Sequence, residues 1–125
     1  MDDLLDVISK TLWAEARGES FEGIKAVASV IMNRAKNNTN NIRTVILKPK
    51  QFSCWNNGSP VVQTKNSADI DIWMSILFLS ESMINGSFKI TGDWTHYYNP
   101  KLCNPSWAKG IPYVDIGNHR FLKVK

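Results

Sequence analysis

One carboxylate stands where helix periodicity asks for an apolar side chain. At about 100° per residue, residues 3–17 place Leu4, Leu5, Val7, Ile8 and Leu12 on one arc, with Glu15 near its middle. Asp6, Lys10, Trp13 and Arg17 fall on the opposite side. A carboxylate in an apolar setting loses solvation for its charged form and can stay protonated near neutrality, which is what a general acid needs. The plainer alternative is a Glu at a helix end whose tip reaches water. Gly18 favours the first reading, because Gly tolerates the left-handed cap that stops a helix. Glu15 then sits in the last turn, at the mouth of a cleft, facing the negative end of the helix dipole.

The elements that must position this residue are mostly helices. The first runs from about Asp3 to Arg17, capped by Asp2 or Asp3. Ser20 is placed to cap a second, from about Phe21 to Lys36. Its apolar arc holds Phe21, Ile24, Val27, Ala28, Ile31, Met32 and Ala35, with Lys25, Ser29, Asn33 and Lys36 opposite. Ala26 and Val30 broaden the arc, so this helix is expected to pack on two sides. A short helix near Ile42–Leu47 should end before Pro49, since the residue ahead of a proline is pushed out of helical geometry. Asn66 or Ser67 starts the last long helix, which runs through about Ile84 and is apolar almost all round, a pattern that predicts a path through the middle of the domain. His96-Tyr97-Tyr98 and Arg120–Val124 have strand preferences, with Gly117-Asn118 as the turn ahead of the second. The expected fold is α+β, mainly helical, one domain over residues 1–125, with a small antiparallel pair near the C-terminus.

The run Trp13-Ala14-Glu15-Ala16-Arg17-Gly18-Glu19-Ser20, followed by Gly23-x-Lys25-Ala26-Val27-Ala28-x-Val30-Ile31-x-Asn33-Arg34, resembles the catalytic domain of spore cortex-lytic enzymes and related bacterial and phage cell-wall hydrolases. Three more segments fit that family in the same order: Lys48-Pro49-Lys50-Gln51-Phe52-Ser53-Cys54-Trp55, Thr95-His96-Tyr97-Tyr98-Asn99-Pro100 and Ile116-Gly117-Asn118-His119-Arg120-Phe121. The resemblance implies a lysozyme-like fold that cleaves peptidoglycan glycan strands, with the first Glu of Glu-Ala-Arg-Gly-Glu, here Glu15, as catalytic acid.

Glycan cleavage usually employs two carboxylates, and Glu19, Glu22, Asp93 and Asp115 are the candidates for a partner to Glu15. None compels: Glu19 is equally suited to capping or pairing at the next helix start, and Asp93 to a turn. A lytic transglycosylase avoids the need, because one Glu protonates the leaving oxygen and then accepts the proton of the sugar's own C6 hydroxyl. The family resemblance points the same way, to 1,6-anhydro muramyl ends; a muramidase that spends water on the same bond is the alternative. Sugar binding wants flat apolar faces beside hydrogen-bonding groups. Gln51, Phe52, Ser53 and Trp55 offer both in one loop, His96, Tyr97, Tyr98 and Asn99 offer both on a strand end, and Trp107 follows. With Glu19 these are the expected substrate-binding residues, Pro49 and Pro100 shaping the loops. The two segments should face each other across the cleft of Glu15. His119 could bond toward that cleft or hold backbone.

The remaining classes are poorly served. A zinc amidase has only His96 and His119 and no His-Glu-x-x-His segment. A cysteine peptidase built on Cys54 lacks a helix start to activate the thiol. A non-catalytic sugar-binding module explains the aromatics but not a carboxylate on an apolar arc. Cys54 and Cys103 are expected as free thiols, and neither a metal nor another cofactor is expected. The net charge of +4 suits polyanionic partners such as cell walls. Lys and Arg are scattered, without a nucleic-acid fingerprint. Met1-Asp2-Asp3-Leu4 shows no basic region ahead of an apolar stretch, and Ile70–Leu79 contains Asp71 and is too short for a bilayer. The expectation is a monomer made in the cytoplasm without a signal peptide. It reaches a wall by another route, as a phage endolysin released through a separate membrane lesion would; a catalytic domain excised from a larger protein fits the same combination.

Overall fold

The computed structural model describes residues 3–48 and 51–125. Asp2, the alternative cap, and Pro49, the expected shaper of the loop before Gln51, lie outside the described residues. About half the chain is helical: α1 (Leu4–Ala16), α2 (Phe21–Arg34), α3 (Ile42–Leu47) and α4 (Ser67–Asn85). A small antiparallel sheet follows from β1 (His96–Tyr98), β2 (Tyr113–Ile116) and β3 (His119–Leu122). None of the described helices is long and apolar enough to cross a membrane.

Helix α1 is the hub, packing on α2, α3 and α4. The Asp3 carboxylate accepts from the Asp6 N–H at 2.8 Å and starts it. Its buried residues are not confined to one arc: Val7, Ile8, Leu12 and Ala16 are covered, but so are Ser9, Thr11 and Trp13. The two hydroxyls tolerate burial because each donates to a carbonyl one turn back, Ser9 to Leu5 and Thr11 to Val7, both at 2.6 Å. Trp13, expected on the solvent side, is buried edge-on against Trp73 of α4, with ring centroids 5.8 Å apart. Helix α4 covers this side of α1, so helical periodicity alone assigned Trp13 to the wrong environment.

Ser20 caps α2 as expected, its Oγ accepting from the Gly23 N–H at 3.3 Å. The helix stops at Arg34, two residues short of Lys36, because Lys36 and Asn37 both take left-handed backbone (φ 56° and 54°). Phe21 is exposed, while Ser29 is buried, reversing their expected sides. The reason lies in the chain after α4. Ser29 Oγ accepts from the Thr91 N–H at 2.9 Å, and Asn33 Nδ2 donates to the Gly92 and Trp94 carbonyls at 2.9 and 2.7 Å. The polar side of α2 is therefore a docking strip for residues 91–94.

Helix α4 is capped by Asn66, which accepts from the Asp69 N–H at 2.9 Å, and ends at Gly86 in the left-handed conformation (φ 86°). It does not run through the middle of the domain. Ile76, Leu79 and Met83 are buried, whereas Ile70, Met74 and Phe78, spaced by four, face outward. Only one stripe meets α1 and α2, so an all-round apolar composition overstated its burial.

The expected strand pair is a three-stranded sheet ordered β1-β3-β2. Tyr113–Ile116 was not anticipated as a strand. It is an exposed edge carrying Asp115, which bonds the Arg120 guanidinium at 2.8 Å. Gly117-Asn118 forms the two-residue hairpin loop between β2 and β3, with Gly117 at φ 59° as such loops require. On the inner face β1 pairs Tyr97 with Phe121, which is fully buried.

Asn33 donates to two backbone carbonyls of residues 91–94. Asn33→Ala should lower unfolding free energy by about 2–3 kcal/mol, measured by urea denaturation. A change below about 0.5 kcal/mol would remove this strip from the account.

Candidate active site

Glu15 occupies the last turn of α1, as read from its sequence position. The turn that follows is built differently from expectation. Arg17 ends the helix with right-handed backbone (φ −58°, ψ −27°), and Gly18 has no positive φ. The Glu19 N–H closes the turn onto the Ala16 carbonyl at 2.9 Å. A left-handed cap is unnecessary because the chain passes directly into α2.

The Glu15 carboxyl opens into a cleft of about 350 Å³ lined also by Val30, Arg34, Gln51, Phe52, His96, Tyr97 and Trp107. Gln51 and Phe52 from one expected segment and His96 and Tyr97 from the other thus meet around Glu15, with Trp107 beside them. The setting is mixed, not the purely apolar pocket suggested by the helical arc. The Tyr97 hydroxyl donates to Glu15 Oε1 at 2.7 Å. Burial, and then the charge of Glu15 and this hydrogen bond, push the phenol well above its ordinary value. Tyr97 therefore keeps its proton and serves as a donor. Oε1 is thereby engaged as an acceptor, and Oε2 makes no hydrogen bond among the described residues.

His96 stacks on Trp107 with ring centroids 5.2 Å apart, and its Nδ1 pairs with Thr95 Oγ1 at 2.9 Å. Burial, then the neighbouring Arg34 charge, hold its pKa below the ordinary imidazole value, so it is neutral at pH 7. Cys54 lies close enough to Glu15 to feel its charge; burial, then Glu15, push the thiol up to about 12. It is free, as is Cys103, and a thiol held protonated is no nucleophile.

Other expected substrate residues are committed elsewhere. Glu19 is nearly covered and accepts from both the N–H and Nδ2 of Asn118 at 2.9 Å. Burial opposes its ionisation, but these two bonds and His119, 3.8 Å away, outweigh it and hold the carboxyl below its ordinary value. A Cβ on Gly117 would meet Glu19 Oε1 at 2.5 Å on a left-handed backbone (φ 59°), so a side chain there is strained and would displace the Glu19 carboxylate. Trp55 donates its indole N–H to Thr11 Oγ1 at 2.8 Å and packs on the core. Asn99 orders the turn after β1, its Oδ1 accepting from the Lys101 N–H at 2.9 Å. Ser53 is exposed at the start of a short helical turn whose Cys54 and Trp55 pack on the core, and Tyr98 packs edge-on against Trp107, 5.8 Å between ring centroids. His119 packs edge-on against Tyr97 at 5.1 Å. Of the remaining carboxylates, Glu22 pairs with Lys25, Asp93 with Lys123 and Asp115 with Arg120, all away from the cleft.

Arg34 and Val30 line the cleft without having been assigned there. They share one face of α2 at a spacing of four, a face read only as a broadening of the apolar arc. Arg34 Nη2 donates to Gln51 Oε1, which fixes the guanidinium against the far loop.

The family model described as cell wall hydrolase matches residues 18–122, starting just past Glu15. The chain is 29% identical over 118 residues to the spore cortex-lytic enzyme of Bacillus subtilis, covering 92% of this chain and 36% of that protein. It is likewise 29% identical over 126 residues to the spore cortex-lytic enzyme of Halalkalibacterium halodurans, covering 96% and 34%. It thus spans about a third of the length of these curated relatives. Among solved structures, the catalytic domain of the germination-specific lytic transglycosylase SleB from Bacillus anthracis aligns with a TM-score of 0.68 at 30% identity, covering 95% of this chain and 93% of that one. The SleB catalytic domain of Bacillus cereus gives the same score and identity, covering 95% and 88%. The chain belongs to the cell wall hydrolase family.

Glu19 clamps the β2–β3 turn, so Glu19→Gln should cost roughly 1–3 kcal/mol at neutral pH while leaving wall-lytic activity measurable. A carboxyl with a depressed folded pKa stabilises above its unfolded value near 4.3 and loses that contribution as pH falls through the folded value. The melting temperature of the parent should therefore drop more steeply than that of Glu19→Gln in this acid range. Unchanged stability with abolished activity would make Glu19 a catalytic group instead.

Proposed function

We propose that this member of the cell wall hydrolase family cleaves peptidoglycan glycan strands as a lytic transglycosylase, acting between N-acetylmuramic acid and N-acetylglucosamine. The observation that carries the reading is that Glu15 is the one carboxylate among the described residues lining the cleft, with a neutral phenol holding one of its oxygens. The likeness to a SleB domain named as a lytic transglycosylase supports it.

In this mechanism the proton on Glu15 Oε2 passes to the glycosidic oxygen as its bond to C1 breaks. The C6 hydroxyl oxygen of the same muramyl ring then bonds to C1, and its proton returns to the Glu15 carboxylate. One residue serves as acid and then base, no water is consumed, and the product ends in a 1,6-anhydro ring. Tyr97 keeps Oε1 occupied in both steps, so the carboxyl presents the same oxygen each time. Trp107 supplies an exposed apolar face for a sugar ring, Phe52 is buried beneath the cleft as part of the core, and Gln51 and neutral His96 supply hydrogen-bonding groups. A water-using muramidase would need a second group to activate or position water. Glu19, the nearest candidate in sequence, is engaged by Asn118. As the setting for this activity we propose a bacterial wall reached by a lysin of net charge +4, a sign that suits a polyanionic surface.

Glu15→Gln should abolish turbidity loss on purified walls without lowering the melting temperature, because the amide oxygen can still accept from Tyr97. Tyr97→Phe should leave the acid in place but unaligned, reducing kcat roughly 10- to 100-fold. Near-normal lysis by folded Glu15→Gln would overturn the assignment.

A further inference from the structure

The cleft holds one guanidinium, Arg34, beside the Glu15 carboxyl, and the mechanism does not use the guanidinium. Arg34 is half-buried, and burial pulls its pKa down. Its guanidinium offers five N–H donors, and the partner seen is the neutral Gln51 amide. Among the described residues no carboxylate pairs with it. A partly desolvated guanidinium facing a cavity gains most from a planar anion that takes two of its N–H groups at once.

Resting on the proposed function, we infer that Arg34 binds a carboxylate carried on the substrate sugar itself, namely the free lactyl acid of a muramyl residue whose stem peptide has been removed. The size of the cleft makes the choice. At about 350 Å³ it lies at the small end of ligand-binding sites, and the same cavity contains both Glu15 and Arg34. An anion attached close to the ring whose glycosidic oxygen meets Glu15 is therefore placed in the same cavity as Arg34. Hydroxyl and acetamido groups are neutral. The lactyl ether is the one acid borne by the glycan's own sugars, and it becomes a neutral amide when a stem is attached. Arg34 thereby sets a preference for stem-free muramyl residues, and Gln51 holds the guanidinium in place for it.

The test uses two forms of one substrate: glycan strands stripped of stems by an amidase, with lactyl acids free, and the same strands with those acids converted to methylamides. The parent enzyme should show KM roughly ten-fold lower for the acid form, with kcat similar. In Arg34→Gln the KM ratio should fall to about one, and Arg34→Lys should keep part of it. Equal KM for both forms in the parent overturns the inference without needing any variant. An equal loss on both forms in Arg34→Gln also overturns it, assigning Arg34 to support of Glu15 or of the fold. Binding of both strands to Glu15→Gln, measured by calorimetry, separates this from the catalytic reading. A preference for the acid form there sustains the inference even if the parent cleaves neither strand, and the absence of any preference overturns it.

Discussion

The hydrogen bond from the Tyr97 phenol to Glu15 joins residues 82 apart in the chain, and most of the molecule serves to keep those two atoms at 2.7 Å. Glu15 is placed by α1, which three other helices enclose. Tyr97 is placed by β1, whose register against β3 sets its ring on Phe121 and beside His119. The sheet in turn needs an anchor on the helical body. Glu19 provides it by gripping Asn118 in the hairpin loop between β2 and β3. Two carboxylates four residues apart thus divide the work. One faces the cleft, and the other holds the wall of the cleft to the helix end that carries the first.

The charge state of the cleft follows from burial. Tyr97 and Cys54 are pushed up and stay protonated, while His96 is pulled down and stays neutral near pH 7. Among the described residues lining the cleft, what remains is one carboxyl and one guanidinium beside neutral donors, acceptors and aromatic rings. Such a site can move one proton out and back. Among the described residues no second carboxylate lines the cleft to orient a water molecule, which is what the proposed ring closure by the substrate's own hydroxyl requires.

Local signals were legible where local physics decides. The cap Ser20, one of each pair of alternative caps (Asp3 and Asn66) and the Gly117-Asn118 turn each depend on a few neighbouring residues, and each stands in the structure. Tertiary environment was less readable. Trp13 is buried because α4 covers the side of α1 that a two-sided wheel leaves open. Phe78 is exposed because α4 has neighbours on one stripe only. Tyr113–Ile116 escaped notice because an exposed edge strand with an aspartate lacks the alternation of a half-buried one. Within the site, the meeting of Gln51 and Phe52 with His96 and Tyr97 followed from their mixed flat and polar character. Arg34 did not, since its exposure to the cleft depends on a loop and a strand distant in sequence. Trp55 and Asn99 have side chains suited to sugars, yet Thr11 and the turn after β1 claim their polar atoms.

The central claim is that Glu15 acts alone, with no water in the reaction. It is tested most directly by digesting purified peptidoglycan in heavy-oxygen water and weighing the released muramyl fragments. The account predicts fragments lighter by one water than hydrolysis products, free of the label and resistant to borohydride reduction. Labelled, reducible ends would contradict it and require a second group beside Glu15 that positions water.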